Sequence, residues 1–286
     1  MKRHVVIITH RYHFHICQVA IDLVMAKYNP QRLSIVFDDV IGTKDGWNYL
    51  GRDIAVEIRV KYGLPAGVIS LHPFSCVDAI HSEPNGWIRQ QYVKLNLHKF
   101  LDNDEWLVID GDTLINKDID PWAYLYVNPA DIRHRHHDFF LRYALDLEDK
   151  VAMYNGKPIE FSSVPIRLLN RRTLSGLEKY IYELHGTDVR GIRDSFTLKR
   201  NRDRYIELSE YDLIGNYQTF ISKDILPLKE LGPIFCPAKE LYQNWDKLKN
   251  EIAVLHGHDN LPLEWYQQMG VNVNQNIWQI LYERQN

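Results

Sequence analysis

The chain has 286 residues, a formal net charge of −3 and a hydrophobic content of 45%. This length suits one large α/β domain or two small ones, the hydrophobic content excludes wholesale disorder, and the near-neutral charge indicates no particular partner. No apolar run approaches the length of a membrane span and no signal-peptide pattern precedes the first predicted strand, so we expect a soluble, cytoplasmic protein without a membrane-spanning segment.

The first part of the chain alternates predicted strands with predicted helices. In chain order these are a strand at residues 4–9, a helix at 14–27, a strand at 33–37, a helix at 49–62 and a strand at 67–71. The first strand is almost entirely apolar, as is typical of a strand that is covered on both faces. This alternation predicts an α/β protein with a Rossmann-like, mostly parallel sheet, whose ligand crevice lies at the carboxyl ends of the strands.

The three cysteines are Cys17, Cys76 and Cys236. Their odd number and wide spacing indicate neither a disulfide framework nor a metal site. Cys17 and Cys76 lie in apolar segments, so we expect both thiols to be buried.

A helix is predicted at residues 86–101, with an apolar stripe that includes Val93 and Leu97. Its long polar side chains are Arg89, Gln90, Gln91 and Lys94. These four groups could hold phosphates or sugar hydroxyls, or they could form a solvated helix face. The sequence leaves both interpretations open.

The next predicted strand, residues 106–109, ends in Asp110, Gly111 and Asp112. If the strand continues, the two carboxylates point to the same side, and the glycine lets a ligand come close to the backbone. Hard carboxylate oxygens at this position suit Mg²⁺ or Mn²⁺ carrying a diphosphate. The alternative is an ordinary polar turn, since Asp and Gly are common turn residues.

The second part of the chain contains a basic segment and two candidate helices. Residues 189–204 lack periodicity and predict an irregular excursion, and Ser209 is expected to cap a helix within residues 208–217. The remaining predicted elements are a strand at 113–116, a helix start at 120–122, a polar loop at 131–138, a helix at 172–185 ending at Gly186, and a strand at 252–255 leading into His256 and His258.

Three segments occur together in order: Gly-Trp-x-x-Gln-Gln-x-x-Lys-Leu at residues 86–95, Asp-x-Asp at 110–112, and Ser-Glu-Tyr-x-Leu-x-Gly-Asn-Tyr at 209–217. With them the chain resembles nucleotide-sugar glycosyltransferases of the GT-A fold. It is similar, more closely, to a poorly characterised bacterial and phage family of predicted glycosyltransferases. The resemblance implies a mixed, mostly parallel sheet flanked by helices. It also implies a single domain over residues 1–286, with a nucleotide-sugar half at about 1–120 and an acceptor half at about 121–286.

The resemblance implies a divalent metal site, with Mn²⁺ or Mg²⁺ as the cofactor. Asp112 would be a direct ligand, and Asp110 would contact the metal or the donor ribose. A histidine near the carboxyl terminus would complete the site; His256 is the first candidate and His258 the second.

The resemblance also implies donor contacts and catalytic groups. The donor would lie against Gln90, Gln91 and Lys94, with Thr9 and Arg11 lining the nucleotide pocket and Asp38 or Asp39 accepting from the base or ribose. Glu210 is the candidate base that activates the acceptor, and Asp212 is the second candidate catalytic residue.

The function predicted from these features is the transfer of a sugar from a UDP-linked nucleotide sugar to an acceptor hydroxyl. A nucleotidyl- or phosphoryl-transferring enzyme and a non-catalytic nucleotide-sugar-binding module are the alternatives. Basic residues concentrate at 133–137 and 190–204, which favours a polyanionic acceptor such as a 5-hydroxymethylated pyrimidine in phage DNA; such an enzyme would work in the host cytoplasm. A saccharide acceptor in surface polysaccharide synthesis is the alternative.

Overall fold

A computed structural model of the protein describes residues 3–9, 14–38, 56–77, 83, 86–128, 138–148, 150–199, 208–237, 241–248 and 250–256. The described helices are α1 (Phe14–Tyr28), α2 (Gly86–Phe100), α3 (Asp138–Leu145), α4 (Arg171–His185), α5 (Val189–Lys199), α6 (Glu210–Asn216) and α7 (Leu241–Leu248). Residues 56–62 are also helical, and a π-helical turn, Tyr217–Ser222, follows α6.

The described strands are short and number twelve. They are β1 (His4–Thr9), β2 (Arg32–Phe37), β3 (Ile69–Pro73), β4 (Glu105–Asp110), β5 (Thr113–Ile115), β6 (Leu125–Val127), β7 (Met153–Tyr154), β8 (Lys157–Pro158), β9 (Ile166–Asn170), β10 (Leu228–Glu230), β11 (Ile234–Pro237) and β12 (Ile252–His256).

Two compact units share the chain. The first comprises Met1–Cys76, Leu107–Ile119 and Pro233–Asn286, and the second comprises Val77–Trp106 and Asp120–Gly232. The two units therefore interleave along the sequence. The predicted single domain, with halves at about 1–120 and 121–286, stays a prediction.

The first unit contains a parallel sheet in which the strand order is β3-β2-β1-β4. β1 is buried along its whole length because it lies between β2 and β4 in this sheet. Helix α1 leads from β1 to β2 and packs against β1 and β5. A helix in this position is the connection expected between two neighbouring parallel strands. A second ladder in the same unit has the order β11-β12-β5, in which β12 runs antiparallel to β5. The predicted α/β class with a mixed, mostly parallel sheet flanked by helices is confirmed.

The second unit contains helices α2 to α6, strand β9 and the short strand pairs β6–β10 and β7–β8. Helix α6 contacts α2, α3 and α4, which places it among the other helices of the unit. One hydrophobic cluster of this unit contains Leu125, Val127, Ala152, Ile159, Phe161 and Tyr211. Tyr211, from the predicted Ser209-capped helix, is thus part of a packed core.

Two expectations about local structure are wrong. Residues 120–122 form a turn rather than a helix start, because the Asp120 carboxylate accepts from the backbone N–H groups of Trp122 and Ala123 at 3.2 and 3.3 Å. The segment predicted to be irregular contains helix α5, Val189–Lys199. Asp188 caps this helix by accepting from the N–H of Gly191 at 2.8 Å.

Burial corrects two further expectations. Cys17 is buried as expected, but Cys76 is exposed. The interpretation of α2 as a solvated face is wrong for Arg89, Gln91 and Lys94, which expose 1%, 3% and 1% of their surface. Within the described part of the chain, no helix is both long and apolar enough to cross a membrane.

Candidate active site

The carboxyl ends of three parallel strands meet at one edge of the first unit's sheet. The register pairs Thr9 of β1 with Phe37 of β2, and Ile8 of β1 with Asp110 of β4. Beyond the strands, the N–H of Asp38 donates to the carbonyl of Thr9 at 3.2 Å, and the N–H of Gly111 donates to the carbonyl of Ile8 at 2.7 Å. Thr9, Asp38 and the Asp110–Asp112 turn, which the sequence places apart, are therefore neighbours at this edge.

Gly111 packs so closely against β1 that the position has no room for a side chain. A Cβ atom there would lie 2.7 Å from the Thr9 Cβ, 2.8 Å from the Thr9 Oγ1 and 3.0 Å from the Ile8 carbonyl oxygen. The flanking residues Asp110 and Asp112 are both partly exposed. The turn thus presents two carboxylates on a backbone that is fixed against the sheet, a donor set that fits a hard divalent cation.

Cys17 connects this edge to helix α1. Burial raises the pKa of the Cys17 thiol to about 12, a hydrogen bond with the Thr9 side chain opposes this rise, and the negative charge of Asp112 adds to it. Thr9 is itself only 3% exposed. The Thr9 side chain is therefore a packed link between α1 and the aspartate turn, and its predicted contact with a nucleotide stays a prediction.

The backbone of β12 leads towards the same turn. β12 pairs with β5 so that Val254 faces Thr113 and Ala253 faces Leu114. β12 ends at His256, two residues beyond the pair of Val254 with Thr113, and β5 begins at Thr113 directly after the Asp110–Asp112 turn. Within the described residues, no group of three or more His, Cys, Asp or Glu side chains could hold a metal ion, and the predicted metal ligands stay predictions. The predicted alternative, His258, lies outside the described residues, as do Arg11 and Asp39.

In the second unit, the structure joins two of the three sequence motifs. The Lys94 Nζ lies 2.6 Å from the Glu210 Oε1, and the two side chains are 1% and 3% exposed. Gln91, one turn before Lys94 on α2, accepts from the N–H of Glu210 at 3.3 Å and donates to the carbonyl of Trp87 at 3.2 Å. Gln91 and Lys94 thus both contact Glu210, and their predicted contacts with a donor, like that of Gln90, stay predictions.

Further buried charges surround this ion pair. Lys94 also stacks on the Tyr211 ring, with its Nζ 4.3 Å from the ring centroid. Arg167 of β9 is 1% exposed, donates to the Tyr211 carbonyl at 3.1 Å and to the Gln218 amide oxygen at 3.2 Å, and lies 4.9 Å from the Phe161 ring. Burial lowers the Arg167 pKa to about 10, while the charges of Asp212, Tyr211 and Glu210 oppose this fall.

Asp212 is held by three hydrogen bonds. Its Oδ1 accepts from the N–H groups of Phe161 and Ser162 at 2.5 and 3.2 Å, and its Oδ2 accepts from the Ser209 hydroxyl at 2.6 Å. Ser209 in turn caps α6 by accepting from the Asp212 N–H at 3.3 Å, so the predicted cap is confirmed. Lys94, Arg167, Glu210 and Asp212 together make a buried group of two cations and two carboxylates.

Arg167 was not identified from the sequence as a residue of the candidate site. It stands in the run Ile166–Asn170, which is otherwise mostly apolar and forms β9. A charged residue in a run that reads as a buried strand is a signal, because buried arginines require partners. The sequence gives no indication that Tyr211 and Gln218 are those partners.

The basic segment is partly described. Arg190 lies 3.8 Å from Asp194 one turn later on α5, and Arg193 lies 2.5 Å from the Glu83 carboxylate. These two positive charges are therefore offset by neighbouring carboxylates. The other arginines of the segment, Arg200, Arg202 and Arg204, and the basic residues at 133–137 lie outside the described residues.

Residues 65–225 match the family described as "Family of unknown function (DUF6492)". The match spans more than half of the chain, and the chain belongs to this family. No curated protein matches the sequence significantly.

Two solved structures illustrate the structural similarity. The galactosyltransferase LgtC in complex with donor and acceptor sugar analogs is 12% identical, with a TM-score of 0.45 over 98% of this chain and 95% of that one. The glycosyltransferase GlyE of Streptococcus pneumoniae TIGR4 is 14% identical, with a TM-score of 0.42 over 99% of this chain and 60% of that one.

Proposed function

We propose that the protein is a metal-dependent glycosyltransferase that moves a sugar from a UDP-linked donor to an acceptor hydroxyl. The observation that carries this proposal is the turn at the carboxyl edge of the sheet. There Asp110 and Asp112 flank a glycine that is packed against β1 without room for a Cβ atom. In parallel α/β sheets, ligands bind in the crevice outside the carboxyl ends of the strands, which is where these two carboxylates lie.

Asp110, Asp112 and His256 are the proposed ligands of Mn²⁺ or Mg²⁺. When bound, such a cation offsets the negative charge that develops on a leaving diphosphate. The register of β12 supports His256, since it leads this residue towards Gly111. Thr9 and Asp38, with Arg11 and Asp39, are the proposed contacts of the nucleoside.

The acceptor needs a base, because the pKa of a hydroxyl lies far above neutral. Glu210 is the proposed base. The nearby Lys94 ammonium favours the ionised carboxylate, the form that can accept a proton. Asp212 stays the second predicted catalytic residue; its three hydrogen bonds give it a role in holding the start of α6, on which Glu210 lies.

The chemical identity of the acceptor is a separate question within this proposal. The sequence favours modified DNA because of the basic segment at 190–204, yet Arg190 and Arg193 have carboxylates as neighbours. The comparison of a duplex containing 5-hydroxymethylcytosine with simple saccharides decides between the two acceptors. Transfer to the duplex that falls steeply with salt supports DNA, and salt-insensitive transfer to a saccharide supports the alternative.

Hydrolysis of UDP-sugars tests the reaction class, since water can replace the acceptor. We expect release of UDP and free sugar from at least one UDP-hexose or UDP-pentose with Mn²⁺, and no release with a chelator. Release of UMP and sugar phosphate would instead indicate attack at phosphorus. Binding of UDP-sugar without any hydrolysis or transfer would indicate a non-catalytic module.

A further inference from the structure

The sequence predicts that Lys94 contacts the donor, but the structure places its ammonium against the candidate base Glu210 and the Tyr211 ring. Gln91 and Lys94 occupy one face of α2, three residues apart, and both reach Glu210. Gln91 accepts from the backbone N–H of Glu210, and the Lys94 Nζ lies 2.6 Å from the Glu210 Oε1. Helix α2 thus contacts both the main chain and the side chain of this residue.

We infer that Lys94 is a positioning residue that keeps the Glu210 carboxylate ionised through its charge, so that the 86–95 motif serves the proton-transfer step. This inference rests on the proposed function, in which Glu210 is the base. Lys94 is 1% exposed, and it acts on the reaction through Glu210 rather than through contact with a substrate.

Burial makes this role necessary. A carboxyl group that loses its hydration becomes protonated unless neighbouring charges or hydrogen bonds compensate. An ammonium nitrogen at 2.6 Å provides that compensation for Glu210. A protonated Glu210 could not accept a proton from the acceptor, so the reaction would depend on the Lys94 charge.

Among the described residues, Arg167 and Asp212 also carry charges close to Glu210. Arg167 of β9 is positive and interacts with Glu210 through its charge, but its hydrogen bonds go to the Tyr211 carbonyl and to Gln218. Asp212, on the same helix as Glu210, is negative and opposes ionisation, although its own charge is partly offset by three hydrogen bonds. Tyr211 contributes the face of its ring, 4.3 Å from the Lys94 Nζ.

The ring and the carboxylate together confine the ammonium group. Lys94 lies in contact with both the Tyr211 ring and Glu210, which belong to adjacent residues of α6. The ammonium is a compact charge that suits this position, whereas the larger planar guanidinium of arginine would keep the charge but displace it. Lys94→Met therefore removes the charge, whereas Lys94→Arg keeps the charge and changes its position.

The experiment measures kcat and KM for Mn²⁺-dependent UDP-sugar hydrolysis as a function of pH in Lys94→Met, Lys94→Arg, Glu210→Gln and the double variant Lys94→Met/Glu210→Gln. We expect Glu210→Gln to lower kcat about 10²–10⁴-fold. Lys94→Met should lower kcat at neutral pH and move the acid limb of the profile to higher pH by about 1–3 units. The KM for the donor should stay unchanged.

The double variant separates a positioning role from an independent one. If Lys94 acts through Glu210, adding Lys94→Met to Glu210→Gln lowers kcat no further. A further loss in the double variant, or a raised donor KM with an unshifted acid limb, would overturn the inference and return Lys94 to the donor. Lys94→Arg keeps a positive charge beside Glu210, so its acid limb should move by less than the roughly 1–3 units expected for Lys94→Met, even if kcat falls. A limb that moves as far as expected for Lys94→Met contradicts the inference, also where Lys94→Met does not fold.

Lys99→Met is the matched control. Lys99 lies on the same helix and pairs with Glu178 at 2.5 Å, but the two side chains are 50% and 42% exposed. Its removal should leave the pH profile unchanged. A shift equal to that of Lys94→Met would mean that any positive charge on α2 suffices, against the inference.

Infrared difference spectra between each protein and its Glu210→Gln counterpart give a readout that needs no activity. The wild type should show the band of an ionised Glu210, and Lys94→Met the band of a protonated carboxyl. If the wild type hydrolyses no UDP-sugar, the proposed function fails while this spectrum still tests the effect of Lys94. A protonated Glu210 in the wild type would overturn the inference even if hydrolysis is found.

Discussion

Adding a methyl group at Gly215, within the motif at residues 209–217, should lower the free energy of unfolding. Gly215 lies in α6, and a Cβ atom there would overlap the Phe161 ring and come within 2.7 Å of the Arg167 Nη2. Neither neighbour can move easily. The Phe161 backbone is tied to Asp212 by a hydrogen bond, and Arg167 is hydrogen-bonded to the Tyr211 carbonyl and Gln218.

The expected effect of Gly215→Ala is the difference between two opposing terms. Alanine is favoured over glycine inside a helix by about 1 kcal/mol. Inserting a methyl group into a packed core costs about 1–3 kcal/mol, and the overlap with a buried ring and a buried guanidinium places this site at the upper end. We therefore expect the free energy of unfolding to fall by about 2 kcal/mol.

Urea denaturation of the wild type, Gly215→Ala and Gly232→Ala measures this effect. Gly232 is the control, because a Cβ atom there meets nothing within 4 Å and its φ lies outside the left-handed region. Its substitution should change the free energy of unfolding by less than about 0.5 kcal/mol. Equal stabilities of the two variants would refute the argument that the motif glycine is required by packing.

Three further predictions concern the first unit. Asp112→Asn should abolish Mn²⁺-dependent hydrolysis and leave the unfolding midpoint in urea unchanged, because the partly exposed side chain keeps its shape but loses a charged ligand; wild-type turnover would exclude the site. His256→Ala should weaken Mn²⁺ affinity, measured by titration, more than His258→Ala, since the β12 register leads His256 towards the turn; a larger loss in His258→Ala would reverse the assignment. Below pH 9.0, Cys17 should resist alkylation while the exposed Cys76 reacts, because burial raises the Cys17 pKa to about 12. As pH rises from 9.0 to about 12, only the unfolded Cys17 thiol ionises, so the free energy of unfolding should fall; a pH-independent midpoint in urea would contradict this.

Local signals predicted many of the elements. The apolar run at β1 and the alternation of strands and helices predicted the parallel sheet. Ser209 marked the start of α6, and Gly186 marked the end of α4 by adopting a left-handed φ of 69°. These features depend on neighbouring residues in the chain, which is why the sequence alone reveals them.

Features that depend on distant contacts were not predictable in the same way. The pairing of Gln91 with Glu210 joins residues 119 positions apart. The polar side chains of α2 suggested either a ligand site or a solvated face, and burial against the Glu210 segment was a third possibility that periodicity could not indicate. Helix α5 is a different case, because its Asp188 cap and its Arg190–Asp194 pair are local signals that the prediction of an irregular segment did not use.

The position of the aspartate turn is an intermediate case. The sequence placed Asp110 and Asp112 at the end of a buried strand, and the general rule for parallel sheets placed that end near Thr9 and Asp38. The structure adds what the rule could not supply, namely the contact of Gly111 with Thr9 and Ile8 that fixes the turn.

Manganese binding in the presence of UDP tests the central claim most directly. Electron paramagnetic resonance reports free Mn²⁺, and the wild type and the double variant Asp110→Asn/Asp112→Asn can be titrated side by side. We predict that the wild type with UDP removes the free Mn²⁺ signal at one equivalent, and that the double variant leaves the signal of free Mn²⁺ with UDP unchanged. Equal uptake of Mn²⁺ by both proteins would contradict the assignment of the metal site to the Asp110–Asp112 turn.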